Sequence, residues 1–284
     1  MEIIKDPKKI QELTLNLRCS EKSVSLVPTM GYFHKGHLSL MRWAREHSDI
    51  VVVSLFVNPT QFGPNEDLDR YPRDFERDKK MAEEVGVDYL FAPEVDDIYY
   101  PDHATWVNVP KLSQYLCGKS RPTHFQGVCT IVLKLFNVVN PNIAVFGEKD
   151  FQQLVIIKKM VRDLNVPVKI VGRPTVREPD GLAMSSRNAY LNEKERKEAA
   201  NIYKGLVKAR EWVKNGQTNS ETIIAKLTEW FMEHIPSGEI DYIEIVDQEN
   251  LTPIEEIEDK ARLAVAIFLG KARLIDNILL EVKK

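Results

Sequence analysis

The sequence lacks the features that define several common classes of protein. Its three cysteines, Cys19, Cys117 and Cys129, are far apart and form no Cys-x-x-Cys pair. Such spacing argues against a disulfide framework or a structural zinc site and fits a reducing compartment. The longest strongly apolar stretch, residues 50–57, is too short to span a bilayer. We therefore expect a soluble cytoplasmic protein with no membrane partner.

Two common nucleotide-binding motifs and any strongly basic segment are also missing. The chain has no Gly-x-x-x-x-Gly-Lys-Ser/Thr segment and no Gly-x-Gly-x-x-Gly segment. These absences remove the usual P-loop explanation for ATP use and disfavour dinucleotide binding. The net charge is −3, so we expect no nucleic-acid partner. A small anionic substrate stays open, because local Arg, Lys and helix termini can bind one whatever the total charge.

The length of 284 residues, 43% of them hydrophobic, predicts two domains. The first part alternates short apolar runs with amphipathic segments, which predicts a parallel sheet with helices on both faces. The predicted strands are 24–27, 50–57, 89–92, 143–146 and 168–172, and the predicted helices are 38–47, 74–85, 127–139 and 151–164.

A stretch without clear period, 173–188, contains prolines and a glycine and is predicted to be the loop that joins the domains. Helices are predicted at 193–214 and 220–234, followed by strands at 241–246, 263–268 and 278–282. Helices followed by strands predict a small α+β domain. We place the first domain at 1–175 and the second at 176–284.

Polar residues gather directly after three predicted strands, in the segments 28–37, 58–62 and 147–150. In an open parallel sheet, ligands bind at the carboxyl ends of the strands. The three segments are therefore expected to lie on one rim of the sheet, although they are far apart in sequence.

The segment His34-Lys35-Gly36-His37 lies where a strand gives way to a helix. Two histidines three residues apart can face the same side of a helix, and Gly36 lets a phosphate approach the backbone. The helix N-terminus adds a partial positive charge and N–H donors. This arrangement favours stabilisation of charge on an α-phosphate during nucleotidyl transfer. A pair of surface or capping histidines is the competing interpretation, and a metal site would need a third ligand.

Two further segments carry groups suited to a triphosphate. In 147–150 (Gly-Glu-Lys-Asp), Lys149 can act as a point charge on a phosphate, and Asp150 can cap a helix or hold a metal or a ribose hydroxyl. A capped helix with an exposed lysine explains this segment equally well. In 184–188 (Met-Ser-Ser-Arg-Asn), hydroxyls and a guanidinium suit phosphate oxygens, although such runs are usually solvated turns.

Three amides, Asn58, Gln61 and Gln153, follow predicted strands or begin a predicted helix. Amides can bind the hydroxyls and the carboxylate of a small polar acid. Each taken alone is also explained as an ordinary strand-end or helix-surface residue.

Taken together, these motifs resemble the pantothenate synthetase family. The resemblance is carried by blocks that occur in the family's order and cover most of the first predicted domain. The blocks are Pro28-Thr29-Met30-Gly31 running into His34-x-Gly-His37, 56–62 (Phe-Val-Asn-Pro-Thr-Gln-Phe), 71–73 (Tyr-Pro-Arg), 121–128 (Arg-Pro-Thr-His-Phe-Gln-Gly-Val), 146–154 (Phe-Gly-Glu-Lys-Asp-Phe-Gln-Gln-Leu) and 177–188 (Arg-Glu-Pro-Asp-Gly-Leu-Ala-Met-Ser-Ser-Arg-Asn). Beyond the 177–188 block, the second predicted domain adds little more than a compatible length.

The resemblance implies a nucleotidyltransferase-like, Rossmann-type α/β fold with a small C-terminal lid domain, a homodimer and a cytoplasmic location. It implies an AMP-forming ligase that joins pantoate to β-alanine on the route to coenzyme A, through a pantoyl adenylate, with release of pyrophosphate and AMP. ATP is then a substrate accompanied by Mg²⁺, and the side chains that contact the metal are unknown.

The same resemblance implies roles for individual residues. The implied catalytic residues are His37, His34 and Lys149. The implied ATP-binding residues are Met30, Gly31, Tyr32, Phe33, His34, Lys35, Gly36, His37, Gly147, Glu148, Lys149, Asp150, Val176, Met184, Ser185, Ser186 and Arg187. Gln61, Gln153 and Asn58 are implied to bind pantoate, and Gln61 also β-alanine.

Some of these assignments are qualified by the chemistry. The family assigns His37 as a proton donor, but attack by a carboxylate needs no proton abstracted, so we expect both histidines to stabilise phosphate charge. Arg121 and His124 match a family block without an assigned role. The acidic run Glu66, Asp67 and Asp69 is interpreted as a solvated loop in preference to a metal site. Tyr32 and Phe33 replace a pair that is usually smaller and aliphatic in the family.

Three rival functions compete with the ligase. A nucleotidyltransferase of similar fold would leave the nucleotidyl group on its product, whereas the three amides and the 184–187 loop favour a ligase. A class I aminoacyl-tRNA synthetase would need a tRNA-binding surface, which a short acidic chain does not offer. A non-catalytic nucleotide sensor is disfavoured by the presence of His34, His37, Lys149 and Arg187.

Overall fold

The structure is a computed structural model that describes residues 1–64 and 66–282. Within these residues the chain forms two compact units. The first unit comprises Met1–Pro110, Arg121–Glu148 and Ile156–Pro174, and the second comprises Lys111–Ser120, Lys149–Val155 and Thr175–Lys284. The second unit thus includes two short segments from the predicted first domain, so the units differ there from the division at 175/176.

A parallel sheet forms the centre of the first unit, with the strand order β1-β4-β3-β2-β5-β6. Its strands are β1 (Glu2–Ile4), β2 (Val24–Thr29), β3 (Ile50–Leu55), β4 (Tyr89–Phe91), β5 (Ile143–Gly147) and β6 (Lys169–Arg173). β2 pairs with β3 on one side and β5 on the other, so the strand order reverses beside it. Ligands bind at such a reversal in doubly wound sheets, outside the carboxyl ends of the strands.

Helices follow the strands along the chain, as the alternating pattern predicts. They are α1 (Pro7–Cys19), α2 (Lys35–His47), α3 (Phe75–Glu84), α4 (Val95–Ile98), α5 (Pro110–Ser113), α6 (Cys117–Ser120), α7 (His124–Val139), α8 (Phe151–Asp163), α9 (Glu193–Lys214) and α10 (Ser220–His234), with short 3-10 turns at Pro59–Gln61, Leu68–Arg70, Glu148–Asp150 and Ser186–Tyr190. No helix in the described part of the chain is long and apolar enough to cross a membrane.

The second unit has an antiparallel sheet in the order β7-β8-β9, formed by Gly238–Val246, Lys260–Leu269 and Ala272–Glu281. α9 and α10 pack with this sheet around a core that includes Leu206, Phe231 and Leu263. This arrangement confirms the predicted α/β class with a small C-terminal α+β part.

The predicted elements are present, and the structure adds elements that were not predicted: the N-terminal β1 and α1, the short helices α4, α5 and α6, the 3-10 turns and the first part of β9. β1 and α1 precede the first predicted strand. β9 begins at Ala272, six residues before the predicted 278, because its middle carries buried polar residues, Asp276 and Asn277. These side chains interrupt the apolar pattern from which a strand is predicted.

Candidate active site

The loop between β2 and α2 has an unusual backbone at the reversal of the sheet. Gly31 has φ +85° and Tyr32 has φ +50°. A positive φ is routine for glycine but strained for tyrosine, so the loop needs support from its surroundings. The ring of Phe33, next in the chain, is fully buried, which anchors the loop in the core. Phe33 therefore serves as an anchor beside the helix start.

His34 and His37 cap helix α2 through the Nδ1 atoms of their rings. The Nδ1 of His34 accepts from the N–H of Gly36 at 3.1 Å, and the Nδ1 of His37 accepts from the N–H of His34 at 3.3 Å. The ring centroids are 4.1 Å apart. Because each Nδ1 is an acceptor, the neutral ring carries its proton on Nε2. Capping and phosphate stabilisation thus use opposite nitrogens of the same rings, so the two interpretations are compatible.

A carboxylate on α3 supports the strained loop from below. Asp78, with a side chain 1% exposed, accepts from the N–H groups of Tyr32 and Phe33 at 2.6 Å each. A Cβ added to Gly31 would lie 3.0 Å from Asp78 Oδ2. Burial raises the pKa of Asp78 from its ordinary value, while the two N–H donors and Arg77 oppose that rise. The hydrogen bonds from these two N–H groups to Asp78 hold the backbone of Gly31 and Tyr32 at positive φ and fix the start of α2.

Arg77 adds a second support to the same loop. Its Nη2 donates to the carbonyl of Phe33 at 2.7 Å, and its guanidinium lies 4.9 Å from the centre of the Tyr32 ring. Neither Asp78 nor Arg77 was singled out from the sequence, because an alternating charged helix gives no sign of which carboxylate is buried.

The amides after β3 form a connected network in the first unit. Asn58, which is 1% exposed, donates from Nδ2 to Gln61 Oε1 at 3.1 Å and to the carbonyl of Gly127 at 3.2 Å. Its Oδ1 accepts from the hydroxyls of Tyr99 at 2.9 Å and Thr60 at 3.0 Å. Every polar atom of the Asn58 side chain is therefore used in holding the 3-10 turn in place.

Gln61 is held through both its side chain and its backbone. Its Nε2 lies 3.1 Å from the sulfur of Met30, in the loop after β2. Its carbonyl accepts from Arg121 Nη2 at 3.2 Å and lies 2.9 Å from His124 Nδ1. The two residues of the 121–128 block without an assigned role thus converge on the backbone of the predicted substrate-binding glutamine.

Glu66 corrects the interpretation of the acidic run as a solvated loop. Its carboxylate takes both Nε and Nη2 of Arg121, with side chains 25% and 13% exposed. This pair ties Glu66 to the segment just before α7, so Glu66 is not an ordinary solvated charge. In the part of the chain that is described, no three or more His, Cys, Asp or Glu residues gather where they could hold a metal ion.

Gly127 allows α7 to approach the 3-10 turn more closely than any other residue would. An added Cβ would lie 2.5 Å from the carbonyl oxygen of Thr60 and 2.7 Å from the backbone nitrogen of Gln61. Both contacts are with backbone, so the turn or the helix would have to shift.

We expect Gly127→Ala to destabilise the protein by about 1–3 kcal/mol, the usual cost of overpacking. Because Gln61 is predicted to bind a substrate, we also expect the KM for that substrate to rise. Thermal unfolding and steady-state kinetics measure the two effects. Asn137→Ala, at an exposed position on the same helix, is the matched control. Unchanged stability and KM in Gly127→Ala would show that the close approach is not required.

Lys149, in the second unit, comes two residues after the end of β5 in the chain. Its carbonyl accepts from Asn277 Nδ2 at 3.0 Å, and its Nζ lies 4.0 Å from Asp150, with the lysine side chain 19% exposed. The interpretation of Lys149 as an ordinary exposed lysine is therefore wrong, because most of its side chain is covered.

The two glutamines at the start of α8 differ in surroundings. Gln153 is half-buried. Gln152 is buried and makes structural hydrogen bonds, accepting from the N–H of Cys117 at 2.9 Å and donating to the carbonyls of Leu112 and Tyr115. Of the pair, Gln153 is the one whose side chain is not committed to holding the 111–120 segment.

The predicted junction loop is organised by hydrogen bonds within the second unit. The carbonyl of Val176 accepts from the N–H of Met184 at 3.0 Å, and Arg177 bridges to Ala183. Arg177 also pairs with Asp276 through two nitrogens, at 2.6 and 2.9 Å. This folded-back turn presents Ser185 at the cap of the Ser186–Tyr190 turn, where its hydroxyl accepts from the N–H of Arg187 at 3.2 Å.

The fold and this local geometry indicate a class of protein. A Rossmann-type sheet with a histidine-capped helix at its strand-order reversal is typical of α/β proteins that bind a nucleotide phosphate at a helix N-terminus. The model of the pantoate-beta-alanine ligase family matches residues 2–279.

Proteins of known identity agree with that match. The pantothenate synthetase of Maridesulfovibrio salexigens is 57% identical over 282 residues, covering 99% of this chain and all of that protein. The crystal structure of pantothenate synthetase from Thermus thermophilus has a TM-score of 0.90 at 45% identity, covering 98% of this chain and 99% of that one. A pantoate-beta-alanine ligase from Francisella tularensis, complexed with beta-gamma ATP and beta-alanine, has a TM-score of 0.82 at 34% identity, covering 100% and 99%. The chain belongs to the pantoate-beta-alanine ligase family, and it is a ligase.

Proposed function

We propose that this protein joins (R)-pantoate to β-alanine at the expense of ATP, and so makes pantothenate, a precursor of coenzyme A. The observation that carries the proposal is the family match over residues 2–279, which spans both units. The related enzyme of Francisella tularensis was solved with beta-gamma ATP and beta-alanine, two ligands of the chemistry proposed here.

The reaction proceeds in two steps. The carboxylate of pantoate attacks the α-phosphorus of ATP, which forms pantoyl adenylate and releases pyrophosphate. The amine of β-alanine then attacks the acyl carbon, forms the amide bond and releases AMP. Activation of the carboxylate as a mixed anhydride makes the second attack feasible at neutral pH.

In the first unit, the ATP-binding residues are Met30, Gly31, Tyr32, Phe33, His34, Lys35, Gly36 and His37. The Nε2–H groups of His34 and His37 stabilise negative charge on the phosphate, helped by the N-terminus of α2. Gly147 and Glu148, at the end of β5, also belong to the ATP site. Gln61 binds pantoate and also contacts β-alanine. Asn58, the other residue of the proposed pantoate site, serves it by holding Gln61 in place, because its own side chain is fully hydrogen-bonded within the protein.

In the second unit, the ATP-binding residues are Lys149, Asp150, Val176, Met184, Ser185, Ser186 and Arg187. Gln153 binds pantoate. Lys149 supplies a point charge for phosphate, and Arg187 a planar donor set. Val176 acts through its backbone, so its side chain should matter little. We propose that residues 176–284 act as a lid domain.

Mg²⁺ accompanies ATP in this proposal. It usually holds phosphate oxygens and waters with one or two protein carboxylates rather than a cage of side chains, and Asp150, about half exposed, is a carboxylate of suitable chemistry. The protein is further proposed to be a cytoplasmic homodimer that binds no nucleic acid.

Isotope exchange tests the proposed first step. The protein is expected to exchange labelled pyrophosphate into ATP when pantoate and Mg²⁺ are present and β-alanine is absent, because adenylation is separable from amide formation. The measurement is radioactivity in ATP over time, with reactions lacking pantoate as the control.

Lack of exchange under saturating pantoate and Mg²⁺ would contradict the mechanism. Retention of a nucleotidyl group on the final product, without AMP release on addition of β-alanine, would favour the nucleotidyltransferase alternative instead.

A further inference from the structure

Arg121 binds a carboxylate in the geometry that proteins use to recognise carboxylate ligands. Its Nε donates to Glu66 Oε1 at 2.7 Å while its Nη2 donates to Glu66 Oε2. The two parallel donors form the bidentate fork characteristic of arginine–carboxylate recognition. Both side chains are largely covered, at 13% and 25% exposure, so the fork is shielded but can still be reached from solvent.

The fork lies next to the glutamine proposed to contact β-alanine. The same Nη2 that binds Glu66 also donates to the carbonyl of Gln61 at 3.2 Å. His124 approaches this carbonyl as well, with its Nδ1 at 2.9 Å. A carboxylate bound to Arg121 therefore shares its guanidinium with the backbone carbonyl of Gln61.

The substrate β-alanine needs a group on the protein that binds its carboxylate. β-Alanine carries an ammonium group and a carboxylate, and its nitrogen must be free to attack the acyl carbon. The carboxylate is consequently the group by which the protein can hold the molecule through the reaction. The neutral amide of Gln61 can bind alcohols and acids alike, whereas arginine selects a carboxylate by charge and shape.

We propose that Arg121 is the carboxylate receptor for β-alanine and that Glu66 occupies this receptor as an internal stand-in until the substrate replaces it. This inference rests on the proposed function and extends it by naming a specificity residue. No covalent step is involved: one carboxylate exchanges for another on the same guanidinium. Glu66 then acts as a competitor that keeps the arginine paired before β-alanine arrives.

A purely structural role for the pair predicts a different outcome. In that case, Glu66 orients Arg121 so that Nη2 holds the carbonyl of Gln61, and loss of Glu66 loosens the 3-10 turn. Removing the Glu66 charge would then weaken substrate use, whereas removing a competitor strengthens it. The two accounts differ in the sign of one measurement.

The first experiment measures selectivity for the carboxylate. kcat/KM is determined for β-alanine and for β-alaninamide, which has the same amine but no carboxylate, by AMP release at saturating ATP and pantoate. In Arg121→Gln, the ratio of the two values is expected to fall about 10- to 100-fold, the usual effect of losing a charge-assisted pair. A structural role would lower both values together, and an unchanged ratio would overturn the proposal.

The second experiment uses Glu66→Gln, which retains the size of the side chain. The KM for β-alanine is expected to fall about 2- to 5-fold, in line with the modest strength of a partly exposed ion pair. Asp69→Asn, an exposed position in the same acidic run, is the matched control and should leave that KM unchanged. A KM that stays the same or rises in Glu66→Gln overturns the proposal, even if Arg121→Gln fails to fold.

Pyrophosphate exchange separates this inference from the proposed function. Pantoate-dependent exchange in the unaltered protein, together with an unchanged carboxylate selectivity in Arg121→Gln, would refute only the receptor. Absence of that exchange would refute the ligase chemistry, and the receptor with it.

Discussion

His37→Ala is expected to slow formation of pantoyl adenylate by about 100-fold or more, the usual loss when one preorganised donor to a developing charge is removed. The Nδ1 of His37 is committed to the N–H of His34, so the Nε2–H is the donor that alanine eliminates. Single-turnover formation of the adenylate, followed by rapid quench, measures the step directly. An unchanged rate would refute the phosphate-stabilising role.

A second substitution separates this role from helix capping. Glutamine at the third helical position can reach back to the N–H of the capping residue, so His37→Gln keeps the cap and removes the imidazole. If capping were the whole role, His37→Gln would react at the normal rate. We expect it to be nearly as slow as His37→Ala, with normal thermal stability. His47→Ala, at an exposed position on the same helix, should leave adenylation unaffected.

Patterns that are local in sequence predicted most of the fold. The strands of the parallel sheet are short apolar runs, and the helices between them have a regular apolar stripe, so both could be predicted from spacing alone. Helix α1 was not predicted because its apolar stripe is weak. Its fully buried positions are Ile10 and Thr14, and Leu15 is 43% exposed. Thr14 fits into the core by donating its hydroxyl to the carbonyl of Ile10 at 2.9 Å, a solution that no apolar pattern reveals.

The candidate site divides in the same way. His34, His37, Asn58 and Gln61 could be predicted as site residues because each follows a strand at the edge where parallel sheets bind ligands. Two of their supports, Tyr99 and Asp78, lie about forty residues or more away in sequence and contact the site only after folding. Nothing in the neighbouring sequence distinguishes Glu66 from Asp69, yet one is paired with a covered arginine and the other is exposed.

Asp78→Asn is expected to reduce the rate of adenylation on the order of 100-fold, as displacement of reacting groups by about 1 Å does. Asp78 accepts two backbone N–H groups at 2.6 Å. Asparagine presents one oxygen and one NH₂ group, so one of the N–H groups faces another donor and loses its partner. The φ-positive turn at Gly31 and Tyr32 then shifts, and the start of α2 with its two histidines shifts with it.

The control is Glu76→Gln, which removes the same charge from an exposed position on the same helix and should adenylate normally. Circular dichroism and thermal unfolding establish whether Asp78→Asn is folded before its kinetics are compared. A KM for ATP that rises while the KM for β-alanine is unchanged would place the damage in the first step, in which this loop is proposed to act. Normal adenylation by a folded Asp78→Asn would contradict the support role, and the strained turn would then have to be held by Phe33 and Arg77 alone.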